Sequence, residues 1–204
     1  MAVAVAACAT IPQHQIPIQE VTSWKLVAIE GEFAPDATMI SWPRVNDDFQ
    51  AKEKERLPAG VVEDSGFKRR RLAYAQAELT ERLRHTMEPV RASLTTGQRP
   101  VKIAVVVEKL VVPSLAQSIL LGAAMALVVG PVAAQQKSEM VARATVTDAR
   151  TGAVLLAYPQ RFVQLPSGDK LLSIGDDDRY AKDAVGLMLR TYAKDFGKWL
   201  LKQT

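Results

Sequence analysis

The sequence predicts an α/β sandwich: a small, mainly antiparallel sheet, two long amphipathic helices on one face, and an apolar helical insert. Three observations lead there. The stretches VKIAVVVEKL (101–110) and SEMVARATVTD (138–148) are rich in β-branched residues and read as strands. Apolar residues recur at three- and four-residue steps from Leu72 to Leu94, and again through the last part of the chain, which is the period of a helix. Between the two strands, residues 110–136 contain no charged side chain, and Lys109 and Lys137 close them off.

Composition bounds the function. The 204 residues suit one domain with extra segments: an N-terminal stretch at 1–20 and a single domain at 21–204 that carries the uncharged insert. Apolar residues at 48% and charged ones at 24% describe a globular chain, which excludes wholesale disorder. Only two histidines occur, His14 and His85, which leaves little material for acid–base or metal chemistry. The net charge of +4 gives a mild attraction to phosphates of lipid or nucleic acid. Cys8 is the single cysteine, so no disulfide forms within the chain.

The elements follow in order. Residues 23–31 (SWKLVAIEG) alternate as a strand does, and Gly31 and Pro35 break it. Residues 33–58 then form a long connection with Pro35, Pro43 and the charged run AKEKER, with at most a short helical turn near 48–56. A long helix is predicted next, capped by Asp64 or Ser65, its stripe made by Leu72, Ala75, Leu79, Leu83, Met87, Val90 and Leu94. Pro89 should kink or divide it, because a proline removes a backbone donor and crowds the preceding turn. His85 sits beside the stripe and reads as a rim residue. Strand 101–110 has nearly lost its alternation, so it is expected in the centre of the sheet, buried on both faces. After strand 138–148, the turn DARTG offers Gly152 for a positive φ, and strand 153–165 returns. Pro159 within that strand predicts an edge position or a bulge. A last helix is expected from about 177 to 202, with Asp176, Asp177 and Asp178 as caps rather than metal ligands.

Within the uncharged stretch, Pro113-Ser114 makes a helix start and Gly130-Pro131 a stop. The helix between them has about 15 residues and a length of about 22 Å, short of the roughly 30 Å a hydrocarbon core demands. Both flanking strands are expected in one sheet, so a single membrane span is not the reading. Two remain: a buried crossover helix, or an exposed element that docks on a membrane or partner through Leu120, Leu121, Met125, Leu127 and Val128.

Two other stretches suggest surfaces. Lys68-Arg69-Arg70-Arg71 places four cations in the first turn of a helix, against its dipole. Either they contact an anionic surface or they form a solvated face. Val5-Ala6-Ala7-Cys8 resembles the bacterial lipobox, a small-residue cleavage site before a cysteine that becomes lipidated. The resemblance implies a diacylglycerol thioether on Cys8 and attachment to a membrane. Only seven residues precede Cys8, none charged, fewer than the basic start and apolar core of an export signal. Pro12 and Pro17 then favour an extended spacer. The other reading of this segment is an untethered, alanine-rich N-terminus.

The lipobox-like start, the strand VKIAVVVE and the hairpin VTDARTGAVL together resemble a group of bacterial envelope lipoproteins. In these a small domain similar to the anticodon-binding α/β fold follows the lipid tether; penicillin-binding-protein activators and the curli secretion channel subunit are among them. Element order carries the likeness over residues 21–202, and motifs carry it at 101–108 and 145–155. It implies a non-enzymatic role in the envelope, facing the periplasm, and it transfers no catalytic residue. Independently, the sequence lacks a nucleophile with its base, a phosphate-cradling glycine loop and clustered metal ligands. No enzyme, cofactor or metal is therefore expected. Nucleic acid is not expected as a partner either, since no aromatics interleave with the basic run. The expected partners are the membrane, through Cys8, and an envelope protein, with self-association left open. The alternative is a soluble cytosolic α/β binding domain with a hydrophobic docking segment.

Overall fold

The computed structural model describes residues 12–37, 39–56, 66–113, 137–165 and 184–203. Its centre is a mixed five-stranded sheet. Strand β1 (Trp24–Phe33) and the short β2 (Met39–Ser41) both run parallel to β3 (Arg99–Val111), one after the other along the same side of it. On the other side, β4 (Ser138–Asp148) and β5 (Val154–Leu165) complete an antiparallel meander. That meander makes up most of the sheet, as the hydrophobic runs and the DARTG turn predict.

Five helices are described: α1 (Ile18–Thr22), α2 (Pro43–Arg56), α3 (Phe67–Thr86), α4 (Glu88–Ser93) and α5 (Ala184–Leu200). The two long ones lie on one face of the sheet, α3 over β1 and α5 over β4 and β5, and they touch each other. The face beneath them is the core: Leu26 and Ile29 from β1, Val101, Ile103, Val105 and Val107 from β3, Met140 and Val146 from β4. The helices supply Leu79, Leu83, Met188, Tyr192 and Phe196 to the same cluster. Burial of side chains of this size, about 1.5–3 kcal/mol each, dominates the driving force for the fold.

Three expectations need correction. Strand β3 is central, but only one of its faces is fully buried; Lys102, Ala104, Val106 and Glu108 are half-buried on the other. Among the described residues no helix covers that outer face, where flanking side chains give the only shelter. The connection after β1 is not a long loop. It holds β2 and the fourteen-residue α2, whose buried Val45, Phe49 and Glu53 recur every fourth residue. Pro43 opens that helix, where a proline costs no hydrogen bond. The division that Pro89 predicts in the long helix falls at Met87, between α3 and α4, with Pro89 in the first turn of the second. The cap of α3 falls on Gly66, which makes no side-chain bond. Asp64, Ser65 and Asp176–Asp178 lie outside the described residues.

Each outer strand carries an interruption that disfavours further pairing. Pro159 and Gln160 together stand opposite Arg143, a bulge in the edge strand β5. On β1, the Thr80 hydroxyl of α3 accepts from the Gly31 amide at 3.0 Å and donates to the Gly31 carbonyl. A register shift at Val27 also breaks the regular pairing of β1 with β3.

Candidate functional site

The strand directions give the molecule two ends. At the first lie the start of β1, the start of β3 and the β4–β5 turn, since Trp24 pairs with Arg99 and Val101 with Asp148. At the second lie β2, Val111 and Ser138. The span of β3 separates them by about 40 Å.

Residues 12–20, expected as part of an extended spacer, are packed on the domain at the first end together with 21 and 22. The Trp199 indole Nε1–H donates to the Pro12 carbonyl at 2.9 Å, and His14 Nε2 lies 3.0 Å from the Leu200 carbonyl. The two rings meet edge to face, 4.9 Å between centroids. His14 is buried, Val21 is fully buried, and Ile16 and Ile18 pack against the core. Trp199 and Leu200 belong to the last turn of α5, which runs toward this end: Asp195 pairs with Arg161, while Trp199 reaches back to Tyr158. The N-terminal segment is thus clasped to the C-terminal helix, so that Pro12, four residues after Cys8, has a fixed position. Sequence reasoning missed this contact because its partners stand 187 residues apart. The alternation Ile16, Ile18, Val21 was the signal that this segment has a buried side.

The basic run sits at the second end. Helix α3 runs antiparallel to β1: Thr80 bonds Gly31, and its first turn projects about 18 Å beyond. There Phe67 packs on Phe49 of α2. Lys68, Arg69 and Arg71 are exposed, and so is Leu72 next to them, which the predicted stripe had placed inward. Arg70 behaves differently, turning to Glu53 of α2, which Arg56 also grips. The Arg70 guanidinium, then that of Arg56, hold the Glu53 carboxyl below the usual carboxylate range. One of the four cations is therefore an α2–α3 clamp. The other three are presented outward. His85 is an exposed residue of α3. Cys8, Leu120, Leu121, Met125, Leu127 and Val128 lie outside the described residues. The points where the uncharged insert joins the sheet, Pro113 and Lys137, are at the second end, beyond Val111 and Ser138.

A groove opens between α4 and α5 at the first end, with a volume of about 430 Å³. Val90, Ala193 and Gly197 are buried in its floor, and Arg190, Lys194 and Lys198 line it. A second cleft, between α2 and α3, is lined by residues of both signs, including Arg44, Asp48, Lys52 and Glu78. No group of three or more metal-ligating side chains occurs among the described residues. No described helix is long and apolar enough to cross a membrane.

No family model matches this chain, and no curated protein does. Solved structures give three likenesses. A candidate lipoprotein from Caulobacter crescentus is 14% identical, over 92% of this chain and 96% of that one, with a TM-score of 0.34. A Xanthomonas campestris protein of the DUF330 family is 14% identical, over 96% and 89%, with a TM-score of 0.44. A lipoprotein from Neisseria meningitidis is 12% identical, over 86% and 97%, with a TM-score of 0.25.

Proposed function

We propose that this chain is a lipoprotein of the cell envelope, tethered to a membrane through acylated Cys8 and facing the periplasm. Its α/β domain has a non-enzymatic binding or assembly role. The clasp of Pro12 and His14 by the end of α5 carries the reading. A tether four residues long from a defined exit point holds a domain close to its membrane. The VAAC stretch supplies the acceptor sulfur.

The two ends then take different tasks. With the exit at the first end, the insert stems and the outward cations Lys68, Arg69 and Arg71 point away from the anchoring bilayer. We assign partner docking to that far end, through Leu120, Leu121, Met125, Leu127 and Val128, with the three cations contacting an anionic surface of the partner. Incorporation of labelled palmitate tests the tether: it is expected in the native chain and lost in Cys8→Ser. Labelling of both versions, or of neither, refutes it. In the same cells, Leu121→Asp with Leu127→Asp should lose the crosslinked envelope partner while the domain stays folded. Unfolding of that variant would instead assign these leucines to the core.

A further inference from the structure

The groove between α4 and α5 has a chemistry that the docking end does not use. Among the described residues, three cations line it and no carboxylate does. The nearby acids are engaged elsewhere: Asp195 by Arg161 at 3.0 Å, and Glu88 by Arg91 at 2.8 Å. Lys194 and Lys198 are exposed and have no ion-pair partner among the described residues. They stand one helical turn apart, so both ammonium groups can reach one anion. Below them the floor is apolar. Gly197 lets Val90 come close from α4, since a Cβ there would meet Val90 Cγ2 at 3.0 Å. A cationic rim over an apolar floor, at this volume, suits an amphiphile with an anionic head.

The position of the groove selects the source. Leu201 and Gln203, which line it, follow directly on Trp199 and Leu200, which clasp the N-terminal segment. Pro12 and Cys8 are separated by four residues, which reach at most about 14 Å. A bilayer holding the Cys8 acyl chains therefore lies beside the groove.

We propose that the groove seats an anionic phospholipid of the anchoring bilayer. Its phosphate sits between Lys194 and Lys198, and the start of its acyl chains lies on Val90, Ala193 and Gly197. The placement rests on the tethered reading, so the test is made independent of acylation. Full-length Cys8→Ser is mixed with vesicles of phosphatidylcholine, alone or with phosphatidylglycerol, and co-sedimentation is measured. Binding is expected only when phosphatidylglycerol is present. Lys194→Gln with Lys198→Gln should weaken it about 30-fold, roughly fivefold for each lysine near an anionic surface. Ser93→Trp, which fills the groove and leaves every charge in place, should weaken it too, with the far-ultraviolet dichroism unchanged.

Neutralising Lys68, Arg69 and Arg71 at the other end should change binding by less than about twofold, although it removes more charge. The proposal is overturned if that triple variant abolishes binding while the Lys194/Lys198 variant retains it. It is equally overturned if Ser93→Trp binds normally, if inorganic phosphate displaces the vesicles, or if the Cys8→Ser chain binds no phosphatidylglycerol. Palmitate labelling with no vesicle binding would leave the tether standing and remove the groove.

Discussion

At the scale of single residues, Asp148 shows how one side chain closes a turn and ties it to a neighbouring strand. Its Oδ1 accepts from the amides of Arg150 and Thr151, and its Oδ2 accepts from Arg99 Nε at 2.9 Å. Gly152 completes the turn at φ +74°, in the left-handed region that a glycine enters without strain. The Arg99 guanidinium, with the two amides behind it, holds the Asp148 carboxyl down at about 2, against an ordinary value of 3.8. A carboxyl depressed in the folded state stabilises the fold above its unfolded pKa, and that stabilisation fades as pH falls through the folded one. Asp148 should therefore support stability at neutral pH and lose its effect between about pH 4 and pH 2. Asp148→Asn is expected to lower the melting temperature at pH 7. In the same variant the acid-induced decline across that window should be flatter, as thermal unfolding on a pH series would record. The turn was legible as DARTG. The arginine that anchors it was not, because Arg99 lies on another strand.

At the scale of elements, two glycines mark where packing leaves no room for a Cβ. A side chain at Gly31 would press on Leu83 Cδ1 at 2.7 Å and Leu79 Cγ at 2.9 Å, where α3 crosses β1. At Gly97 it would land on the carbonyl groups of Ser23 and Trp24, where the α4–β3 connection passes the start of β1. Flexible leucines can give way, whereas backbone that is hydrogen-bonded to Gln98 and Arg99 cannot. Gly31→Ala should therefore cost about 1–3 kcal/mol, and Gly97→Ala about 3 kcal/mol or more. Chemical denaturation of the pair gives the order; a milder effect at Gly97 would contradict the close approach. The same scale explains which elements the sequence could announce. Helices α3 and α5 and the three meander strands carry long apolar patterns. In α2 the pattern is only Val45, Phe49 and Glu53 within a charged segment, because the helix touches the domain along one narrow line. Strand β2 has three residues, too few to carry a period.

At the scale of the whole molecule, the two ends of the chain meet. Trp199 is nearly fully buried, against Tyr158, Phe196, His14 and the Pro12 carbonyl. Trp199→Ala should cost about 3–5 kcal/mol and also free the N-terminal segment. Trp199→Phe keeps one aromatic ring but loses the indole donor and some packing volume, so about 1–3 kcal/mol is expected with the clasp loosened. Limited proteolysis supplies the readout: cleavage within residues 12–17 should be slow in the native chain, faster in Trp199→Phe and His14→Ala, and fastest in Trp199→Ala. Uniform cleavage across the series would mean that the clasp does not hold the segment. The clasp sets the exit of the proposed tether at one end, and the outward cations of α3 at the other. A bilayer plane at the first end cannot also touch Lys68, Arg69 and Arg71, about 40 Å away. The two basic surfaces thus have different partners in the proposed arrangement, the anchoring membrane at Lys194 and Lys198 and a protein surface at the far end.

The α/β class, the meander with its turn at Gly152, the edge position of Pro159 and the two long helices can all be read from the order of residues. Each of these depends on contacts whose signal repeats along a short stretch of chain. Folding in three dimensions adds that β1 and β2 run parallel to β3, that Arg70 is an internal clamp while its neighbours face outward, and that residues 12–20 pack on the domain. These depend on side chains meeting from distant positions, Glu53 with Arg70, Trp199 with Pro12 and Asp148 with Arg99. Such pairs leave no period in the sequence. The groove of Lys194 and Lys198 belongs with them, since its walls come from two helices separated in sequence, with Val90 of α4 close against Gly197 of α5.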